Sequence, residues 1–104
     1  MSHENIIQMA LKRREVFNNL KQYLQMIKKT VQEIDRSAEI YLFGSVPDKN
    51  YTHSSDIDVL IITKTDPDLM RLKLWQANIK DPFEFHIHTP EKAKRIRAKL
   101  YKVE

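Results

Sequence analysis

Cysteine is absent from this 104-residue chain, glycine occurs once and proline four times. Average usage would supply roughly seven glycines at this length. Without cysteine there is no disulfide framework and no thiolate metal site. The near-absence of glycine argues against low-complexity linkers, collagen-like sequence and all-β folds built on glycine turns. No apolar run approaches the roughly 20 residues that span a bilayer, so no membrane association is expected. The first residues, MSHENIIQMALKRRE, are charged within four positions and hold no long apolar core, so they do not read as a secretory signal. The expectation is a cytoplasmic protein folded as one domain over residues 1–104.

What is present is a balance of 41% hydrophobic and 31% charged residues, too apolar for a disordered chain. Eighteen basic against fourteen acidic side chains leave a net charge of +4. That sign suits a nucleotide, a nucleic acid or an acidic protein surface, without choosing among them. Much of the excess lies near the C-terminus, in Lys92, Lys94, Arg95, Arg97, Lys99 and Lys102. Lacking interleaved aromatics before Tyr101, these read as a charged helix face, and nucleic acid is not the favoured partner.

Residues 4–35 contain neither Gly nor Pro, and their apolar positions, from Ile6 and Met9 through Leu24, Ile27, Val31 and Ile34, recur mostly every three or four residues. That predicts one long amphipathic helix, with Lys12, Arg13 and Arg14 on its solvated face. Glu39 to Phe43 reads as a short strand closed by Gly44-Ser45, and Val46 to Ser55 as a polar loop or short helical turn. Asp56 to Thr63 reads as a strand that becomes apolar on both faces from Val59 onward, as a central strand does. Asp66-Pro67 opens a helix to about Ala77 with Leu69, Leu72 and Trp75 inward, Trp75 being core or an oligomer contact. Phe83 to His88 alternates strictly as a third strand, and Thr89-Pro90 starts a final basic helix. The predicted architecture is α/β (α+β): a mixed sheet of about three strands flanked by helices, in the order αβ(α)βαβα.

Asp56 and Asp58 sit at i and i+2 on one strand, so both side chains lean to one face, about 6.5–7 Å apart at the backbone. At the start of an apolar strand two carboxylates need a partner, and a hard cation such as Mg2+ suits them. A bare Asp-x-Asp is equally an exposed strand end. Three features shift the balance: Gly44-Ser45, which lets backbone and hydroxyl approach an anion, the polar loop that can return the chain to that edge, and Glu84 early in the third strand.

Phe43-Gly44-Ser45, followed eleven residues on by Ser55-Asp56-Ile57-Asp58-Val59-Leu60-Ile61, resembles the signature of the DNA polymerase beta-like nucleotidyltransferase superfamily. The short chain is similar to its minimal nucleotidyltransferase branch. The resemblance implies Asp56, Asp58 and Glu84 as catalytic, metal-binding carboxylates. It places Gly44, Ser45, Lys49 and Ser55 around the nucleotide, with ATP as substrate. Two Mg2+ ions, with Mn2+ as the alternative metal, would flank the attacking and leaving oxygens as AMP passes to a hydroxyl. The branch further implies a HEPN-domain protein as partner, this chain acting as antitoxin and modifying a partner tyrosine. Size alone makes such a partner, or a homo-oligomer, the expected source of an acceptor surface.

Two departures stand out. Lys49 occupies the position where the family usually carries a second glycine, and the third carboxylate is Glu rather than the commoner Asp. Lys49 is the feature favouring the alternative, a catalytically weak or inactive nucleotide-binding or partner-neutralising module of the same fold. Glu84, His86 and His88 share a strand face and form an E-x-H-x-H set that a zinc ion can use, although interfacial hydrogen bonding is the commoner fate of such histidines. Tyr51 is the better-placed base contact, and His53 reads as an exposed loop residue.

Overall fold

In the computed structural model, which describes residues 3–48 and 55–104, the Gly- and Pro-free stretch forms two helices instead of one. Helix α1 spans His3–Asn18 and α2 spans Leu20–Ile34. They part at Asn19, whose φ of −124° and ψ of 32° are not helical. Its Nδ2 donates to the Glu15 carbonyl at 2.9 Å, while its own carbonyl accepts from the Gln22 and Tyr23 amides and so starts α2. Asparagine side chains compete with helix backbone bonding in this way, and an apolar stripe carries no trace of it.

Four strands follow: β1 (Glu39–Phe43), β2 (Ile57–Ile62), β3 (Phe83–His88) and β4 (Tyr101–Lys102), in the sheet order β3-β2-β1-β4. β1 is antiparallel to both β2 and β4. β2 and β3 are parallel, joined through α3 (Pro67–Gln76). A parallel pair requires such a crossover, and Asp66 starts it by accepting from the Asp68 amide at 2.9 Å. The fold is thus a small α+β arrangement with a mixed sheet flanked by helices, one strand richer than expected.

The extra strand replaces the expected basic helix. α4 is a single turn, Pro90–Ala93, capped by the Thr89 hydroxyl accepting from the Lys92 amide. The chain then returns as β4, with Tyr101 against Leu42, and the Val103 amide donates to Ile40 at 2.8 Å. β1 would otherwise present an unpaired edge, and burial of Val103 adds apolar contact.

β2 is the central strand, and Ile57, Val59, Leu60 and Ile61 are fully buried. Ile57, Val59 and Ile61 join one core with Leu24, Ile27 and Val31 of α2 and with Met70 and Leu74 of α3. Alternation turns Asp58 and Leu60 to the opposite face. The inward side of α3 differs from expectation: Met70 and Leu74 are buried, whereas Leu69, Leu72 and Trp75 are exposed, Trp75 by 60%. Apolar residues lie all around this helix, so either set forms a helical stripe, and packing against α2 selects the 70/74 side.

Candidate active site

The parallel register of β2 and β3 sets Asp58 beside Glu84, and Leu60 beside His86. These side chains share the face opposite α2 and α3. His86 Nε2 lies 3.3 Å from Asp58 Oδ1 and 3.8 Å from Glu84 Oε1. The imidazole and the Phe43 ring meet in a T-shaped arrangement, with ring centres 4.9 Å apart. Asp58 is half-buried, while Glu84 is 55% exposed and stands at the rim.

β1 delivers the glycine to the same place. Phe43 pairs with Asp58 in the antiparallel register, so Gly44 and Ser45 leave the strand at the carboxylate. Gly44 has φ +82°, and a β-carbon there would lie 2.4 Å from Asp58 Oδ2. Both of its special properties are therefore used: the left-handed backbone and the missing side chain. Asp58 is held between two neighbours, Oδ1 toward His86 and Oδ2 against Gly44. The turn after Ser45 is tied down by Tyr101 of β4, whose hydroxyl donates to Asp48 at 3.1 Å.

Asp56 lies just before β2 and makes a different contact. Its Oδ1 accepts from Arg13 Nη2 of α1 at 3.2 Å. The same Nη2 donates to Asp81 Oδ1 at 2.7 Å, and Nη1 donates to the Ser55 carbonyl at 3.0 Å. Arg13 is the buried member of this group, its side chain 18% exposed against 54% for Asp56 and 50% for Asp81. This overturns the solvated face that the apolar stripe predicts for Arg13. No local signal marks the pairing, because its partners lie 42, 43 and 68 residues away.

Of the residues singled out in the sequence, the fold brings Asp58, Glu84 and Gly44 together, Ser45 follows directly, and Ser55 and Asp56 sit at the entry to β2. Lys49, Tyr51 and His53 lie outside the described residues. Strand alternation groups His86 only with Glu84 and His88. In the fold, Asp58, Glu84 and His86 offer ligand atoms all within 4.8 Å of one another, and among the described residues no other such group occurs. Two carboxylates and one imidazole on a partly exposed sheet face fit a divalent cation that keeps positions open for water or phosphate.

Comparison with known proteins agrees with this geometry. Residues 24–104 match the nucleotidyltransferase domain family, and the chain belongs to that family. Two crystal structures of putative nucleotidyltransferases resemble it. One is 31% identical with a TM-score of 0.57, the match covering 77% of this chain and 96% of that one. The other, from Sulfolobus solfataricus, is 22% identical with a TM-score of 0.50, covering 88% and 85%, and shares the fold. No curated protein gives a significant match. Family membership supports nucleotidyl transfer as the general activity, binding of a nucleotide substrate, and use of divalent metal as the family's habit. Among the described residues, no helix is long and apolar enough to cross a membrane.

Proposed function

We propose that the chain, as one domain in the cytoplasm, transfers AMP from ATP to a hydroxyl, using Asp56, Asp58 and Glu84 as its metal-binding and catalytic carboxylates. Gly44, Ser45, Lys49 and Ser55 then hold the nucleotide. The observation that carries this reading is the placement of Asp58 and Glu84 side by side on parallel strands, with Asp58 Oδ2 against the glycine that ends β1. A divalent cation, Mg2+ or Mn2+, bound to these carboxylates supplies charge neutralisation on the phosphate oxygens.

The chemistry follows from the positions. The acceptor oxygen attacks the α-phosphorus, the bond to the bridging oxygen breaks, and pyrophosphate leaves with the electron pair. Glu84, exposed at the rim, meets an acceptor arriving from solvent and takes the hydroxyl proton on a carboxylate oxygen. Gly44 brings backbone close to the triphosphate without a side chain in the way. His86 keeps Asp58 oriented through the 3.3 Å contact. Most of the rate gain comes from positioning and charge stabilisation.

For the acceptor, the likeness of Phe43-Gly44-Ser45 and Ser55-Asp56-Ile57-Asp58 to minimal nucleotidyltransferases supports a tyrosine of a HEPN-domain partner, with this chain as antitoxin. Incubation with α-labelled ATP, Mg2+ and the candidate partner tests both levels. Label should pass to the partner, and Asp58→Asn should reduce transfer at least about 100-fold. Mg2+-dependent ATP binding without transfer to any protein would favour the inactive binding module. Failure to bind ATP would refute the nucleotide site.

A further inference from the structure

Helix α1 lies outside residues 24–104, the part of the chain that matches the family, yet it reaches the site. Its seat is slight. Of its described residues only Val16 is buried, and Ile6, Ile7, Met9 and Leu11 are each about half exposed. A cavity of about 310 Å³ opens between Gln8, Met9 and Lys12 on this helix and Asn78, Lys80 and Asp81 on the facing loop. Beyond Val16 and Phe17, which pack against the core, polar contacts hold it: Lys12 donates to the Tyr23 hydroxyl at 3.0 Å, Tyr23 to Glu15, and Arg13 to Asp56, Asp81 and the Ser55 carbonyl.

Arg13 therefore engages a carboxylate that the proposed chemistry assigns to the cation. Asp56 is absent from the group formed by Asp58, Glu84 and His86, and its Oδ1 faces the guanidinium. We infer that Arg13 is an internal counter-ion that competes with the divalent cation for Asp56, so that seating of α1 and loading of the metal oppose one another. The inference rests on the reading of Asp56 and Asp58 as metal ligands.

Charge sets the sign. A monocation and a dication sharing one carboxylate lie about 6 Å apart, and their repulsion, even screened as in water, weakens cation binding about tenfold. Asp81 adds to the effect, because removing Arg13 leaves a second carboxylate uncompensated at 2.7 Å from the former guanidinium position. Coupling of this kind is reciprocal: whatever lifts α1 tightens the cation by the same factor by which the cation loosens α1.

The test uses the full chain and Mn2+ alone as probe, titrated by calorimetry. Arg13→Gln should bind Mn2+ about tenfold more tightly than the natural protein. Arg13→Lys, which keeps the charge, should stay near the natural affinity. In an Asp56→Asn background, the shared carboxylate is gone and Arg13→Gln should change the affinity clearly less, leaving only the through-space charge and Asp81. Hydrogen exchange supplies a second readout that needs no variant: Mn2+ should speed exchange of α1 amides in the natural protein. Unchanged or weaker binding in Arg13→Gln, or slower α1 exchange with Mn2+, would overturn the competition and make Arg13 a prop for Asp56. If instead Asp58→Asn leaves Mn2+ affinity untouched, the metal-site reading itself falls.

Discussion

Replacing Gly44 with alanine separates two costs that the structure superimposes at one atom. The first is backbone: at φ +82° an L-residue loses about 1–2 kcal/mol relative to glycine. The second is contact: the new methyl would lie 2.4 Å from Asp58 Oδ2, where ordinary contact begins at 3.4 Å, so the carboxylate must retreat about 1 Å. Its backbone has little room to follow, being registered to Phe43 on one side and Glu84 on the other. His86 braces the other oxygen at 3.3 Å. A reacting group misplaced by about 1 Å loses about 100-fold in rate. Gly44→Ala should therefore cost more in urea unfolding than the about 1–2 kcal/mol of backbone alone, and about 100-fold in label transfer from α-labelled ATP. Repeating the stability measurement in an Asp58→Ala background keeps the backbone cost and removes the clash, so the cycle isolates the contact. Turnover within about threefold of the natural protein would show that Asp58 does not act at the reacting centre. Equal destabilisation in both backgrounds would show that the methyl and carboxylate do not compete.

Two further outcomes test the fold that carries the site. Leu74→Ala, deleting a buried side chain of α3, should cost about 2–5 kcal/mol, and Trp75→Ala, at a position 60% exposed, less than about 1 kcal/mol. The reverse order in urea unfolding would restore Trp75 to the interior, and solvent-like, easily quenched tryptophan fluorescence is the quicker check. The Asp35 carboxylate accepts from the Thr63 hydroxyl at 2.5 Å and from Ser37, which holds its carboxyl below the ordinary aspartate range. With the folded value below the unfolded one, this stabilisation is full above the ordinary value of about 3.9 and fades as pH falls through the lowered one. Asp35→Asn should therefore cost about 1 kcal/mol at pH 7, and the gap to the natural protein should close on acidification below about pH 4. A gap that widened in acid would reverse the assigned sign.

The first three strands were the most legible elements, because each carries its own evidence. Glu39–Phe43 and Phe83–His88 have the bounds that alternation and their flanking turns predict, and β2 is shorter than expected by one residue at each end. The approach of the lone glycine to Asp58 was legible for the same reason, since strand geometry and φ preference act within a few residues; Asp56, just outside β2, turns to Arg13 instead. What escaped was decided between elements. Asn19 breaks a helix through side-chain competition, Met70 and Leu74 turn inward only because α2 lies on that side, and β4 forms because β1 leaves an edge to fill.

Arg13 is the extreme of that class, and its position changes where the chain's individuality is to be sought. Gly44, Asp58 and Glu84 lie within residues 24–104, the stretch that matches the family. Arg13 stands before that stretch and touches the site through pairings no local pattern encodes. A site built from strand ends has its geometry fixed by the sheet. Helix α1, seated by Val16, the partly buried Phe17 and several polar contacts, is held by less and opens more readily than a strand. On the proposed competition for Asp56, a change of about tenfold in cation affinity requires moving one arginine rather than repacking a sheet.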